Sequence, residues 1–270
     1  MQEPDSMRQI GPADFRIVQA AEAPAEQART DECSCGGAGF YKKAVPYSHP
    51  DFARLYPCPC RTPGTRAHTR ARLLQRTGLA PLRDRTFATF NRRLPGVGAA
   101  YQRSQAYAAA WPHQQWMVYL GRTGSGKTHL SLAIANSVFD QSPDDRDTVY
   151  YAAVPDLLDH LRSCYNPGGP APFHEEFERI KGIGLLVLDD VLTTERLTVW
   201  GYEKLYQIIN HRNLHRLPTI VSTNLALDQL DERLVSRMLD ADILPDGPID
   251  MSAAADHRRR NLRGQRKEAV

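Results

Sequence analysis

The sequence predicts an α/β fold in which a parallel five-stranded sheet carries helices on both faces. From Trp116 onward, apolar stretches of strand length alternate with amphipathic stretches of helix length, and this alternation is typical of a parallel sheet covered on both sides. A glycine-rich loop follows the first of these strands, and two carboxylates follow the third. In such sheets, ligands bind beyond the carboxyl ends of the strands, where these polar groups stand.

The predicted elements follow from local patterns. Apolar, β-branched and aromatic runs predict strands at 116–120, 148–154, 185–188 and 219–222, with a weaker fifth at 241–244. Helices are predicted at 128–139, 155–162, 173–181, 199–212 and 227–239. Pro155 and Asp156 suit the first turn of a helix, because proline lacks the unused N–H and the acid faces the positive end of the dipole.

Composition narrows the class of protein. The chain has 270 residues, 41% of them hydrophobic, enough for one substantial core and a smaller module. It contains no apolar run of 18 residues and no signal-like start, so we expect a cytoplasmic protein that does not enter a membrane. Arginine is concentrated at 61–93, with nine arginines against one acid, and 256–270 holds six basic residues against two acids. These segments indicate either a phosphate-bearing partner or an ordinary solvated surface.

The glycine-rich loop has the spacing of a phosphate-binding P-loop. It consists of Gly121, Arg122, Thr123, Gly124, Ser125, Gly126, Lys127 and Thr128, and His129 follows it in the predicted helix. Main-chain N–H groups of such a loop surround phosphates, the lysine reaches the β- and γ-phosphates, and the hydroxyl of Thr128 serves Mg²⁺. We therefore predict that the nine residues from Gly121 to His129 bind ATP with Mg²⁺.

Two adjacent carboxylates, Asp189 and Asp190, end the strand predicted at 185–188. Adjacent acids at a sheet edge are costly without a cation. We predict that Asp189 holds Mg²⁺ and that Asp190 polarises the attacking water. Asn224, after the next strand, holds that water or senses the γ-phosphate, and the alternative is that it simply forms a turn.

Taken together, these blocks resemble the DnaC/DnaI group of replicative helicase loaders and the related IstB transposition helpers, which are AAA+ (ASCE) P-loop ATPases. The resemblance rests on Gly-Lys-Thr-His-Leu at 126–130, Ala-Ile-Ala-Asn at 133–136, Leu-Val-Leu-Asp-Asp at 186–190 and Ser-Arg-Met at 236–238, and it extends over most of the chain from Cys33. It implies an AAA+ ATPase domain at 111–270, preceded by a basic helical linker at 66–110.

The resemblance also assigns two arginines. Arg237 matches the arginine finger that acts on ATP bound by a neighbouring subunit, and Arg258 resembles the sensor arginine that contacts the nucleotide of its own subunit. The alternative for Arg237 is a plain surface residue. Most AAA+ ATPases have glutamate where this chain has Asp190, and the shorter side chain suggests slow hydrolysis.

Four cysteines precede the linker as two C-x-C pairs, Cys33 with Cys35 and Cys58 with Cys60, separated by 22 residues. Disulfides are rare in cytosolic proteins, so four clustered thiols predict a tetrahedral Zn²⁺ site, in which His49 could replace one thiol. We expect a flexible leader at 1–30 and a zinc-binding module at 31–65 that docks a partner.

By resemblance, the expected function is ATP-dependent loading of a hexameric replicative helicase onto single-stranded DNA, with self-association in the ATP state. Two alternatives remain open. The first is an IstB-like transposition helper, and the second is a P-loop small-molecule kinase, which the Ser-Thr-Asn and Ser-Arg-Met blocks argue against.

Overall fold

A computed structural model of the chain describes residues 40–47, 49–58, 63–142, 147–166, 168–192 and 197–257. These divide into two compact units, one ending at Cys58 and the other beginning at Pro59. The leader predicted at 1–30, Arg258, and the cysteines Cys33, Cys35 and Cys60 lie outside the described residues.

The first unit contains a short antiparallel pair of strands, β1 (Phe40–Lys42) and β2 (Leu55–Pro57). Phe40 lies opposite Pro57, so the chain enters β1 and leaves β2 at the same end of the ladder. In the connection, the Lys43 ammonium lies 2.8 Å from the Asp51 carboxylate and 4.4 Å from the centre of the Tyr56 ring. These contacts lower the pKa of Asp51 to about 2, chiefly through the hydrogen bond from Lys43.

The second unit alternates helices and strands, as the sequence predicts. In chain order its elements are α1 (Pro63–Arg76), α2 (Gly98–Ala109), β3 (Met117–Leu120), α3 (Lys127–Gln141), β4 (Val149–Ala153), α4 (Val154–Ser163), α5 (Phe173–Gly182), β5 (Leu185–Asp189), α6 (Val199–Leu214), β6 (Thr219–Thr223), α7 (Glu232–Met238) and β7 (Ile249–Asp250). Short 3₁₀ turns occur at Ala80–Leu82 and Leu227–Gln229.

The five strands of this unit form one parallel sheet in the order β4-β5-β6-β3-β7. β6 therefore lies between the strand that leads into the glycine-rich loop and the strand that ends in the acidic pair. All five carboxyl ends lie along one edge, so the loop after β3, the acids after β5 and the polar residues after β6 are neighbours in space.

Alternate side chains of the strands enter two hydrophobic cores, one on each face of the sheet. On β3, Met117 and Tyr119 belong to one core and Val118 to the other. Helix α3 packs into the first core through Leu130, Ile134 and other residues, and α4, α5, α6 and α7 pack into the second. Both faces are covered, which explains why the first four residues of β5 are all apolar and the whole strand is buried.

Several helix starts follow from their own sequence. Pro155 and Asp156 lie in the first turn of α4, as predicted. The Thr198 hydroxyl caps α6 by accepting from the Gly201 N–H at 3.1 Å, and the Asp231 carboxylate caps α7 by accepting from the Arg233 N–H at 3.0 Å. Because Asp231 starts a new helix, the single helix predicted at 227–239 is wrong, and a 3₁₀ turn precedes α7 instead.

The fifth strand was predicted at the wrong place. Residues 241–244 form a turn, in which the N–H groups of Ile243 and Leu244 both donate to the Asp240 carbonyl. Their apolar side chains are buried beneath this turn, which accounts for the strand-like pattern. The edge strand is β7, whose Ile249 pairs with Tyr119.

Among the helices of the described residues, none is both long and apolar enough to cross a bilayer.

Candidate functional site

A cavity of about 680 Å³ opens at the carboxyl edge of the sheet. The loop before α3, the end of β5 and the residues after β6 all contribute to its walls. The residues predicted from sequence that line it are Thr123, Gly124, Gly126, Lys127, Thr128, His129, Asp189, Asp190 and Asn224. Gly121, Arg122 and Ser125 belong to the same loop but are not among the lining residues.

The glycines of the loop are required by its backbone and by close neighbours. Gly124 and Gly126 have φ angles of 84° and 102°, in the left-handed region that favours glycine. A Cβ on Gly126 would lie 2.9 Å from the Phe90 ring, and one on Gly124 would overlap the Asp256 carboxylate. The loop is therefore packed between the segment before α2 and the chain after β7.

Lys127 is the first residue of α3, and its side chain turns back over the loop. Its Nζ donates to the carbonyls of Gly121 at 2.5 Å and Arg122 at 3.0 Å. The ammonium is largely buried and lines the cavity, so its charge faces the space enclosed by the loop. An anion in that space would meet the lysine and the N-terminus of α3 together.

Asp189 is buried, and three hydroxyl groups donate to its carboxylate. Thr128 Oγ1 lies 3.2 Å from Oδ1, the Tyr151 hydroxyl lies 3.0 Å from Oδ2, and Ser222 Oγ also donates to Oδ1. Thr128 and Asp189 thus present hard oxygen donors side by side, which is the donor set that Mg²⁺ prefers. Burial is the main cause that raises the pKa of Tyr151, so its hydroxyl remains a donor at neutral pH.

Asp190 has a different environment from Asp189. It is exposed to the cavity, and its φ of 57° places it in the left-handed region, which is uncommon for a residue other than glycine. Its N–H donates to Ser222 Oγ at 3.3 Å, so one serine contacts both acids. Asn224 is exposed just beyond β6 and faces the same cavity.

The remaining wall comes from the segment between α1 and α2, in which the sequence predicts no site residue. This segment contributes Leu82, Arg85, Thr89, Phe90, Asn91 and Leu94. Tyr151, Ser222 and His257 also line the cavity and were not predicted as site residues. For Ser222, the polar end of an apolar strand offered a signal, whereas nothing local marked Tyr151 or Phe90.

His129 joins the loop to this wall. Its Nε2 lies 2.9 Å from the Thr86 carbonyl, and its ring packs edge-on against Phe90 with centroids 5.2 Å apart. Burial lowers the pKa of His129, so the ring is neutral at pH 7 and its Nε2 carries the hydrogen that the carbonyl accepts.

Arg237 lies on α7 and is not among the described residues that line the cavity. Its Nε donates to Asn210 Oδ1 on α6 at 2.9 Å. The structure therefore does not bring Arg237 to the site of its own chain, and its role stays a prediction.

Of the four predicted zinc ligands, only Cys58 is described, and its side chain is buried. No group of three or more metal-ligating side chains occurs within the described ranges. His49 accepts a hydrogen bond from the Asp51 N–H through Nδ1 at 3.1 Å. The zinc site stays a prediction because three of its ligands fall outside the described residues.

The fold and the cavity together define a P-loop protein of the AAA+ class. The sequence model of the family described as IstB-like ATP binding protein matches residues 66–246. This match covers more than half of the chain, so the protein belongs to that family.

Sequence relatives include proteins of bacteria and of phage-like elements. The chain is 29% identical to the uncharacterized protein YdaV of Escherichia coli (strain K12) over 173 residues, which are 63% of this chain and 66% of YdaV. It is 24% identical to the replicative helicase loader DnaC of the same strain, over 65% of this chain and 70% of DnaC. It matches the phage-like element PBSX protein XkdC of Bacillus subtilis (strain 168) with 29% identity over 44% of each protein. The match thus spans less than two thirds of YdaV and less than half of XkdC.

Solved structures share the fold. The crystal structure of the DnaC helicase loader aligns with a TM-score of 0.51 and 20% identity, over 62% of this chain and 96% of that chain. The replication initiator DnaA bound to AMPPCP and single-stranded DNA aligns with a TM-score of 0.50 and 22% identity, over 62% of this chain and 49% of DnaA. At these identities the likeness establishes the fold alone.

Proposed function

We propose that this protein is an ATPase that loads a hexameric replicative helicase onto single-stranded DNA. The observation that carries the proposal is the convergence of Lys127, Asp189, Asp190 and Asn224 on one cavity in a chain whose relatives include a helicase loader. A small-molecule kinase would share the P-loop, but it would need a second pocket beside the γ-phosphate for its acceptor substrate.

Five polar residues of the cavity have separate tasks in the proposed hydrolysis of ATP. Lys127 and the loop N–H groups would bind the phosphates, and Thr128 and Asp189 would hold Mg²⁺, which would supply positive charge beside the phosphate oxygens. Asp190 orients the attacking water and accepts its proton, because it is the acid that the cavity exposes. Asn224 faces the same space and contacts the water or the γ-phosphate.

Self-association completes the site. Arg237 lies outside the cavity of its own chain, so it can stabilise the transferred phosphoryl group only in a neighbouring subunit. In its own chain the guanidinium Nε of Arg237 donates to Asn210 on the adjacent helix, and the residue is half-buried. We expect Arg258, next to the cavity residue His257, to contact the nucleotide in cis.

Single-stranded DNA has a candidate contact surface where α4 ends and α5 and α6 begin. The Tyr165 ring is 53% exposed and stacks on Phe173 with centroids 4.1 Å apart. Trp200 extends this aromatic group, with Arg162 lying 5.3 Å from its ring and Lys204 lying 5.5 Å from that of Phe173. Aromatic rings beside basic side chains suit unstacked bases on a phosphate backbone.

Replacing Tyr165 tests this surface. Tyr165→Ala should weaken binding of a labelled oligo-thymidine roughly tenfold, since stacking one base contributes about 1–3 kcal/mol. Fluorescence anisotropy in the presence of ATP measures the affinity. The control is Leu214→Ala, because Leu214 is also an exposed large apolar residue and lies at the far end of α6 from this surface. If both variants bound DNA with the same affinity, the result would contradict a DNA contact at Tyr165.

We further propose that residues 31–65 form a zinc-binding module that docks the helicase. The two cysteine pairs lie within a few residues of the same end of the β1–β2 ladder, where the chain enters and leaves it. So short a segment buries little apolar surface, and a metal would supply the missing stability. Phe40, Tyr47 and Phe52 are exposed, whereas Tyr56 is half-buried beside Lys43.

Elemental analysis of the purified full-length chain tests the module. We expect one zinc per chain, lost in the Cys58→Ser, Cys60→Ser double variant together with helicase capture, while ATP binding persists. Protein that contains no zinc and still captures the helicase would contradict this use of the cysteines.

A transposition helper is the alternative function. The matched family is described as IstB-like ATP binding protein, and the IstB proteins are the transposition helpers that the sequence resembles. The two functions differ in partner. Size-exclusion chromatography of the purified protein with ATP and either the replicative helicase hexamer or a transposase from the same cell separates them. Co-elution with the helicase would support the loading function. Co-elution with the transposase alone would contradict it and favour the transposition-helper function.

A further inference from the structure

Asn136 is an unusual residue for the middle of α3, where its neighbours are Ala133, Ile134 and Ala135. It is 2% exposed, and asparagine in a helix interior competes with the helical backbone for hydrogen bonds. A buried amide must also find partners. The position therefore demands an explanation beyond the formation of the helix.

All of the observed partners of the Asn136 side chain lie in the segment before α2. Its Nδ2 donates to the carbonyls of Leu82 at 3.0 Å and Arg85 at 2.9 Å, and its Oδ1 accepts from Arg83 Nη1 at 2.8 Å. Arg83 also bonds Asp140, one turn further along α3, at 2.6 Å. The amide thus fastens this segment to the helix.

His129 fastens the next residues of the segment. It precedes Asn136 by seven residues, so both side chains project from one face of α3. Its Nε2 donates to the Thr86 carbonyl at 2.9 Å, and its ring contacts that of Phe90. The two side chains together bind the backbone from Leu82 to Thr86.

The fastened segment forms one wall of the cavity and borders the phosphate loop where Phe90 lies beside Gly126. Arg85, Thr89, Phe90 and Asn91 line this wall, and none of them belongs to a strand of the sheet. With phosphates at Lys127 and Thr128, the sugar and base must extend away from the loop into the remaining space. An aromatic ring and polar side chains there suit a flat, hydrogen-bonding base.

We propose that His129 and Asn136 are positioning residues that hold the segment 82–91 as the base-binding wall of the nucleotide cavity. Three consecutive residues of α3 then have separate roles. Lys127 contacts the phosphates, Thr128 contributes to the metal site, and His129 holds the wall that contacts the base. This inference rests on the proposed binding of ATP.

Three ligands distinguish the contribution of the base to binding affinity from that of the phosphates. ATP, GTP and inorganic tripolyphosphate are titrated calorimetrically into the full-length wild type, His129→Leu and His129→Gln. His129→Leu should lower the affinity for ATP roughly tenfold, as expected for loss of one positioning hydrogen bond. It should also narrow the protein's preference for ATP over GTP. Its affinity for tripolyphosphate should stay within about twofold of wild type. His129→Gln retains an N–H donor near the position of Nε2 and should restore most of the ATP affinity.

Asn136→Leu is a second variant, which keeps side-chain volume and removes the amide. It should show the same pattern as His129→Leu. Its affinity for ATP should fall, its preference for ATP over GTP should narrow, and its affinity for tripolyphosphate should stay unchanged. A general disturbance of the fold would instead lower the affinities for ATP and for tripolyphosphate by the same factor. That result would overturn the inference. So would wild-type ATP affinity in both variants.

Lys127→Ala distinguishes failure of this inference from failure of the proposed function. It should lose ATP and tripolyphosphate together, because it acts at the phosphates. If the wild type bound neither ligand, the proposed ATPase function itself would fail. If the wild type bound ATP and both wall variants bound it equally well, only the positioning role would be wrong.

Discussion

Asp189 and Asp190 are neighbours in sequence with opposite surroundings. Asp189 is buried and accepts from three hydroxyl groups, whereas Asp190 is exposed and turned toward the cavity by a left-handed backbone. For residues other than glycine this conformation costs about 1–2 kcal/mol, least for aspartate and asparagine, which tolerate it best. This backbone conformation therefore separates a buried acid from an acid that faces the cavity.

Asp190→Asn tests the role of the exposed acid. Asparagine tolerates the same backbone, so ATP should bind with unchanged affinity, while turnover falls by about 100-fold or more because the proton acceptor is lost. Phosphate release under saturating ATP measures this. Asp228→Asn, on the 3₁₀ turn after β6 and outside the cavity lining, is the control and should turn over normally. Wild-type turnover by Asp190→Asn would remove Asp190 from the reaction.

The sequence identified the contiguous part of the site and not the part assembled by folding. Lys127, Thr128 and the acidic pair occur at fixed spacing, so local pattern suffices to find them. Tyr151 reaches Asp189 only through the pairing of β4 with β5, and Phe90 reaches the loop from a segment about 30 residues upstream. Such contacts depend on strand order and packing, which no short motif encodes.

Among the elements, α6 is fixed to the sheet by a buried arginine. Arg212 is fully buried, and it donates to the Thr219 hydroxyl and to the carbonyls of Lys181, Ile183, Gly184 and Pro218. Burial lowers its pKa to about 9, so the guanidinium is still charged at neutral pH. One side chain thereby joins the end of α5 and the starts of β5 and β6.

Arg212→Met should lower the free energy of unfolding by about 3 kcal/mol, because the carbonyls that surround the guanidinium would remain buried without donors. Denaturation by guanidinium chloride measures the change. Arg216→Met is the matched control, since Arg216 is exposed and pairs with the exposed Asp242 at 3.1 Å. Its loss should cost less than about 1 kcal/mol. Equal effects of the two substitutions would contradict the structural role of Arg212.

Glu176 connects α5 to α4 and predicts a pH dependence of stability. It bonds Arg179 and His160, at 2.8 Å and 2.9 Å, and these bonds, led by that from Arg179, lower its pKa to about 2. A lowered folded-state pKa stabilises the protein above the unfolded value near 4.5, and that stabilisation disappears as the pH falls toward 2.

The unfolding free energy of wild type should therefore exceed that of Glu176→Gln at pH 7, and the difference should shrink by about 2–3 kcal/mol between pH 5 and pH 2. Urea denaturation at several pH values measures it. Glu175→Gln, one residue earlier and exposed, should differ from wild type by a nearly constant amount. A pH-independent difference for Glu176→Gln would show that the ion pairs do not stabilise the fold.

The order of the elements was largely predictable, because buried strands and amphipathic helices have different periods. The misplaced fifth strand shows the limit of that method. Ile243 and Leu244 are apolar because they fill the second core from a turn, and a pattern of burial does not reveal whether the backbone pairs with a strand. β7 has only two residues, Ile249 and Asp250, too few for any periodicity.

At the scale of the whole molecule, the proposed role of Arg237 requires a neighbouring chain, because this residue of α7 is not among the described residues that line the cavity of its own chain. Arg237→Ala should bind ATP normally and hydrolyse it at least tenfold more slowly. Mixing it with Lys127→Ala should restore part of the turnover, because the Arg237→Ala chain binds ATP while the Lys127→Ala chain donates the arginine. Arg233→Ala, on the exposed side of the same helix, is the control and should hydrolyse ATP at a rate close to that of wild type. Absence of rescue at every ratio would mean that Arg237 is a surface residue.

The most direct test of the central claim is the unwinding of a forked DNA by the replicative helicase of the same cell, with single-stranded regions covered by single-strand binding protein. With ATP present, the wild-type chain should raise the initial rate of unwinding severalfold, and Lys127→Ala should not. A helicase that unwinds at the same rate with and without the wild-type chain, under conditions in which the chain is shown to bind ATP, would contradict the proposed loading function.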